Sequence, residues 1–207
     1  DLVVAGSLRR HATREQLAAF KVRIETFRPA QSIADVRRDI ARMARLVGHE
    51  ERGRRLIAGL DDALEALTPA GTPAGTPAGT PAGPTLSALQ LQRRAFASGT
   101  GTLIDDLMQR AGLTNAATGL GVASVRRTTL EAVLKAKPDV LILDSDRPEA
   151  ADQGIALLLH PALDAVVPAQ RRIVVPLDAI VCGGPQVAAA AQALAAGLAR
   201  VRSAARP

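Results

Sequence analysis

The chain predicts an α/β protein: two doubly wound lobes joined by a long interlobe helix, with the N-terminal lobe only partly present. Three observations predict it. Short apolar runs of strand length alternate with amphipathic stretches of helix length, the pattern of βαβ units. A pair of helical stretches between Ser32 and Leu67 separates a short α/β fragment from a longer α/β series. A low-complexity tract then sets the second helix apart from that series. The expected organisation is residues 1–49 as the C-terminal part of the first lobe and 50–67 as the interlobe helix. Residues 68–84 form a linker and 85–207 the second lobe.

In order, Leu2-Val3-Val4-Ala5 reads as a buried parallel strand, which needs neighbours on both sides. The sequence opens on Asp1, directly before this strand, so the expectation is a C-terminal part of a longer protein. Thr13 to Phe20 reads as a helix, and Val22, Ile24, Thr26 and Phe27 as the next strand. Ser32 is a helix N-cap with Asp35 three residues on, as in a capping box. Ile33, Val36, Ile40, Met43 and Val47 recur on one helical face, and Gly48 supplies a left-handed stop. From Glu50 the second helix places Leu56, Ile57, Leu60, Leu64 and Leu67 on one stripe, with a length of about 27 Å.

Four tandem Thr-Pro-Ala-Gly units run from Thr68 to Gly83. Proline at every fourth position excludes helix and central strand, which leaves an extended linker. Ser87 to Gln92 alternates with period two, as a strand with one less buried face does. A loop from Arg93 to Gly101 follows. Thr102 caps a helix to Arg110 with Asp105 at N3, and Thr129 caps another that ends before Pro138. Val140 to Leu143 is a buried strand, Pro148 to Leu159 a helix stopped at His160-Pro161, and Arg172 to Val175 a strand. Gln186 to Val201 is an alanine-rich closing helix.

Composition narrows the function classes. The chain of 207 residues is 47% hydrophobic, with no Trp or Tyr and three Phe (Phe20, Phe27, Phe96), so its core is aliphatic. The net charge of +6 arises from arginines spread along helices beside acids, without aromatic interleaving. That is a solvated surface, not a nucleic-acid face. One cysteine, Cys182, excludes an internal disulfide. His11, His49 and His160 are far apart, and none has a second ligand at metal-binding spacing, so no metal site is expected.

In open α/β sheets ligands bind beyond the C-terminal ends of the strands. That rule selects four loops: Ser7, Leu8 and Arg9 after the first strand; Arg93, Arg94 and Phe96; Ser145, Asp146 and Arg147; and Ile180 and Cys182 in the last loop. None forms an acid–base or nucleophile set, so no catalytic residue and no cofactor is assigned. Cys182 reads as a small buried residue lining a cleft. Gly99-Thr100-Gly101-Thr102, between a strand and a helix, offers backbone N–H groups to an anion. It lacks the Lys-Ser/Thr of a P-loop and the third glycine of a dinucleotide site. A small α/β enzyme that binds a phosphate-containing ligand there is the alternative to a binding protein.

Asp1-Leu2-Val3-Val4-Ala5-Gly6-Ser7 resembles the P-D-L-V-[IL]-A strand of class III periplasmic substrate-binding proteins, the receptors of importers for ferric siderophores, haem and cobalamin. Gly101 to Leu107 with Ala111 to Ala117 is similar to that family's G-T-L-[IL]-D motif and its A-G-x-x-N-A-A continuation. Thr129 to Leu134 with Lys137 to Leu141, Arg171 to Pro176, and Cys182 to Pro185 resemble its later motifs, in the same order. The resemblance implies a monomeric, periplasmic, non-enzymatic receptor. It takes a metal chelate between two lobes and delivers it to an ABC permease in the inner membrane. It also implies that Glu131, in the first turn of its helix, docks on permease arginines. The family's usual Trp and Tyr stacking residues are absent here, which leaves an anionic chelate held by Arg9, Arg93, Arg94 or Arg147, with Phe96 alongside. The family usually begins with a signal peptide and a further half-lobe, which are expected to precede Asp1 in a longer protein.

Overall fold

The computed structural model describes residues 2–6, 22–68, 85–144 and 157–204. Two sheets organise them. β1 (Leu2–Gly6) and β2 (Arg23–Phe27) pair in parallel, Leu2 opposite Arg23 through Gly6 opposite Phe27. The larger, six-stranded sheet is built on β3 (Leu86–Gln92). On one side of β3 the parallel strands β7 (Val140–Leu143) and β8 (Arg172–Val174) follow. On its other side β5 (Leu113–Asn115) pairs in parallel with its first half, and β4 (Phe96–Ser98) antiparallel with its last residues. β6 (Val125–Arg127) pairs with β4 at the edge.

Helices cover both faces of this sheet. α1 (Ile33–Leu46), α2 (Glu50–Leu67), α3 (Leu103–Arg110), α6 (Asp178–Val181) and α7 (Val187–Ala204) enclose one core with Ala88, Val140 and Ile142. α4 (Leu130–Ala136) and α5 (Pro161–Val166) enclose the second core with Leu89, Leu91, Leu141 and Leu143. Alternation along β3 and β7 divides their residues between the two cores, as a strand's period of two requires.

The caps form locally as their residues dictate. Ser32 Oγ accepts from Asp35 N–H (3.2 Å), and the Asp35 carboxylate accepts in return from Gln31 N–H (3.0 Å). Gly48 adopts φ +71° just past α1, the left-handed conformation expected of it. Thr102 and Thr129 cap α3 and α4 through hydroxyl bonds to Asp105 N–H and Ala132 N–H. Ile33, Val36, Ile40, Leu60, Leu64 and Leu67 are buried as their stripes require. α2 packs on both α1 and α7. Arg37 of α1 pairs with Asp61 of α2 at 2.6 Å. Asp106 of α3 reaches α1, its carboxylate accepting from Ile33 N–H at 2.7 Å. Arg42 lies 4.5 Å over the Phe27 ring, pairs with Glu25 and donates to Thr26 O, which fastens β2 to α1.

Several expectations are corrected. The strand around Ser87 to Gln92 has no exposed face: Ala88, Leu89, Gln90 and Leu91 are all buried, because β3 is central and both helical layers cover it. The expected loop from Arg93 holds a 3-10 turn (Arg93–Ala95) and the short strand β4. His160 N-caps the helix that follows it, its Nδ1 accepting from Ala162 N–H at 3.2 Å. The loop expected around Asp178 to Cys182 is largely the short helix α6. The helix expected at Thr13–Phe20, residues 148–156 of the one expected from Pro148 to Leu159, and nearly all of the Thr-Pro-Ala-Gly tract lie outside the described residues, and residues 157–159 form a turn. Among the described residues no helix is long and apolar enough to cross a membrane.

Candidate ligand-binding cleft

At its C-terminal end β3 delivers Gln92 and then turns sharply. Arg94 (φ 60°) and Ala95 (φ 61°) both adopt the left-handed conformation, which costs a non-glycine residue about 1–2 kcal/mol. Three bonds from two different strand ends hold the turn in that shape. Arg93 N–H donates to Asp144 Oδ2 just after β7 (3.2 Å). Arg127 Nε donates to Arg94 O (3.2 Å), and Thr128 N–H donates to Ala95 O (2.8 Å). Arg93 and Arg94 are exposed on the turn, and Arg127 of β6 lies beside them through its bond to Arg94 O, with Arg126 exposed next to it in sequence. Arg94, Arg126 and Arg127 form no ion pair among the described residues. Phe96, half-buried in β4, stands opposite Arg127 in the ladder.

Beside this turn lies a cavity of about 220 Å³, lined by Ala30, Gln92, Ser98, Thr102, Val125 and Ile180 among others. Its polar side is a chain of hydrogen bonds. Gln92 Nε2 donates to Ser98 Oγ (3.1 Å) and to Gln90 Oε1 (3.3 Å). Its apolar side comes from α6 and the start of α3.

A larger groove of about 460 Å³ is lined by Val4, Phe27, Met43, Val47, Leu56 and Cys182 among others. Gly183 (φ +58°) draws the Cys-Gly-Gly-Pro loop against residue 30, where a Cβ would lie 2.4 Å from Ala30 Cβ. Ala30 lines the smaller cavity and Gly183 the larger.

The residues expected at the cleft are thus distributed. Arg93, Arg94 and Phe96 stand together at the β3–β4 turn. Ile180 lines the small cavity, and Cys182 lines the large groove, exposed and not buried as its sequence context predicts. Ser7, Leu8, Arg9, Ser145, Asp146 and Arg147 lie outside the described residues. Glu131 is separate from the cleft: it is exposed on α4, in the opposite helical layer. Its own backbone N–H and the Thr129 hydroxyl hold its carboxyl below the usual glutamate range, so it is ionised at neutral pH.

The structure also adds residues to the site. Arg126 and Arg127 come from a three-residue strand with no periodic signal, and only β4–β6 pairing places them here. Gln90 and Gln92 sit at positions that read as a solvated face. Among the described residues no group of three His, Cys, Asp or Glu is placed to hold a metal.

The Gly99-to-Thr102 loop does not work as an anion cradle. Gly101 N–H already donates to Asp105 Oδ2 (3.3 Å), so a buried carboxylate stands where a phosphate would approach. Gly99 is required for a different reason: a Cβ there would lie 1.7 Å from Val122 O, where the two backbone segments meet.

The family model described as periplasmic binding protein matches residues 1–153. Among solved structures, the periplasmic heme-binding protein RhuT from Roseiflexus sp. RS-1 superposes with a TM-score of 0.75 at 24% identity, over 97% of this chain and 76% of that one. The periplasmic heme-binding protein BhuT, solved with two hemes, gives 0.72 at 23% identity, over 97% and 75%. HutB of Vibrio cholerae, also a periplasmic heme-binding protein, gives 0.73 at 18% identity, over 95% and 76%. No curated protein matches.

Proposed function

Since the chain belongs to the periplasmic binding protein family, we propose that it is the substrate-binding component of an importer for an anionic metal chelate. It captures the chelate beyond the C-terminal end of the larger sheet, in the periplasm, and hands it to an ABC permease in the inner membrane. The observation that carries this reading is the rigid arginine turn. Arg94 and Arg127 are cross-linked by a backbone contact, free of ion pairs among the described residues, and set beside a half-buried phenyl ring and a polar-floored cavity. Guanidinium groups match carboxylate and catecholate oxygens bidentately. Positive charge at the rim also accelerates encounter with an anion. Ferric siderophores and haem, with its propionates, present such oxygens, and cobalamin tests the neutral limit. Ionised Glu131, on the other helical layer, is the contact offered to the permease. A phosphate-binding enzyme is disfavoured by the Asp105 carboxylate on Gly101 N–H.

The test is equilibrium dialysis against ferric citrate, ferric EDTA, haemin and cyanocobalamin, read by metal content and ligand absorbance. The chain has no Trp or Tyr, so intrinsic fluorescence is uninformative. The expected result is saturable 1:1 binding of an anionic chelate that weakens with added salt. In Arg94→Ala/Arg127→Ala it should fall by roughly tenfold or more, the worth of lost charge-assisted hydrogen bonds. Absence of saturable binding to all four probes overturns the reading.

A further inference from the structure

The larger groove, of about 460 Å³, shares none of its described lining residues with the smaller cavity or the arginine turn. Its size falls within the roughly 300–1,000 Å³ of small-molecule sites, which are mostly apolar with a few polar groups. Three elements build it. Val4 and Phe27 share one face of the β1–β2 pair, because Val4 stands opposite Glu25 and Phe27 follows Glu25 by two residues. Met43 and Val47 come from the end of α1 and its cap, and Leu56 comes from α2. Val4 (46% exposed), Val47 (49%) and Leu56 (38%) are three of the six large apolar side chains left exposed among the described residues, so these three form one patch. Two cations line the same groove. Arg28 and Arg52 are exposed and form no ion pair or hydrogen bond among the described residues. The one carboxylate among the described lining residues, Asp39, is paired with Arg38 at 3.3 Å.

We propose that this groove is a second binding site, for a single-chain fatty carboxylate taken up from solution. The hydrocarbon chain covers Val4, Val47 and Leu56, and the carboxylate pairs with Arg28 or Arg52. Burial of apolar surface supplies the affinity. A guanidinium grips a carboxylate through two parallel bonds, which fixes the direction in which the chain lies. Met43, with its unbranched thioether, lets the wall adapt to the chain. An anion without a chain leaves the apolar patch in water, and a chelate with several charged groups brings charge against it. A cationic amphiphile meets two like charges. The site is independent of the chelate reading, since it uses neither the arginine turn nor the smaller cavity.

Cys182 makes the test local. It lines this groove, is exposed, and is the only cysteine of the chain, so its alkylation by N-ethylmaleimide reports on the groove alone. Laurate, below its micellar concentration, should bind 1:1 in titration calorimetry and slow Cys182 alkylation with the same midpoint. Octanoate should bind roughly tenfold or more weakly, because four fewer methylenes are buried. Dodecyltrimethylammonium, a cation with the same chain, should bind more weakly than laurate. Leu56→Asp, at an exposed position of α2, should cost roughly tenfold or more in laurate affinity by setting a carboxylate against the chain. Arg28→Ala/Arg52→Ala should erase the preference for laurate over dodecyltrimethylammonium, and it serves where Leu56→Asp folds poorly. Uptake of laurate that does not saturate, saturable binding that leaves Cys182 alkylation unchanged, or equal affinity for both amphiphiles overturns the site. So does flotation with phosphatidylglycerol vesicles in a protein that does not bind free laurate, which assigns the face to a membrane surface instead.

Discussion

Two glycines six residues apart in α2 should respond in opposite directions to the same substitution. Gly53 is buried where α2 crosses α1, and a Cβ there would stand 2.4 Å from Ala44 Cβ. Carbon atoms pack at about 3.5–4.0 Å, so Gly53→Ala forces the helices apart by about 1.1–1.6 Å or displaces Ala44. Overpacking of this kind costs about 1–3 kcal/mol. Gly59 has nothing within 4 Å of its would-be Cβ and faces solvent. Gly59→Ala gains helix propensity and restricts the unfolded chain, worth about 0.4–1 kcal/mol. To first order Gly53→Ala collects the same gain, so the difference between the two variants isolates the packing term at about 1–3 kcal/mol. At roughly 2–4 °C per kcal/mol for a chain of this size, their melting temperatures should differ by about 2–12 °C. Gly59→Ala should lie above wild type. Thermal denaturation followed by far-ultraviolet circular dichroism measures all three proteins. Equal rises in both variants would refute the close approach of α1 and α2.

Two further predictions concern polar contacts. Gln31 N–H, and then Arg38, hold the Asp35 carboxyl below its ordinary value of 3.8. A depressed carboxyl contributes stability that is fully present above that ordinary value and is lost as pH falls through the lower folded one. Asp35→Ala should therefore be less stable than wild type at pH 7, with the two converging in urea melts below about pH 4. Asp139 Oδ2 accepts from both Ser87 N–H (2.8 Å) and Ser87 Oγ (2.7 Å), tying β3 to the entry of β7. Asp139→Ala should cost about 1–3 kcal/mol by leaving the Ser87 N–H unmatched. Ser87→Ala/Asp139→Ala should cost less than the sum of its single variants, and strict additivity in denaturant melts would refute the pairing.

The features legible in the sequence were those with local causes. A cap is decided within four residues, and Ser32, Thr102 and Thr129 each behave as their spacing requires. Apolar periodicity identified the α1 and α2 faces, and it is correct for Ile33, Val36, Ile40, Leu60, Leu64 and Leu67. The same stripes include Met43, Val47 and Leu56, which line the open groove instead. A period reports that a face is apolar and says nothing of what covers it. In β3 the failure runs the other way. Ser-Ala-Leu-Gln-Leu-Gln reads as one wet face, yet Gln90 is fully buried, because amides at alternate positions can serve a polar interior as well as solvent. Strands of three residues carry no period at all, so β4 and β6 were invisible, and with them the placement of Arg126 and Arg127.

That blindness bears on the site's physics. Arg93 and Arg94 are visible as loop residues after a strand, but a pair of arginines on a free loop would be a weak binder. Ordering each long side chain on binding costs about 0.5–1.5 kcal/mol. The non-local contacts alter this. Asp144 from the end of β7 and Arg127 and Thr128 from the end of β6 fix a backbone turn that is locally unfavourable at two consecutive non-glycine residues. Such strain persists only where surrounding structure over-determines it. The sheet supplies that support by joining segments some thirty to fifty residues away. The turn is therefore fixed by contacts already present without a ligand, and on the proposed reading capture would need little rearrangement of its backbone.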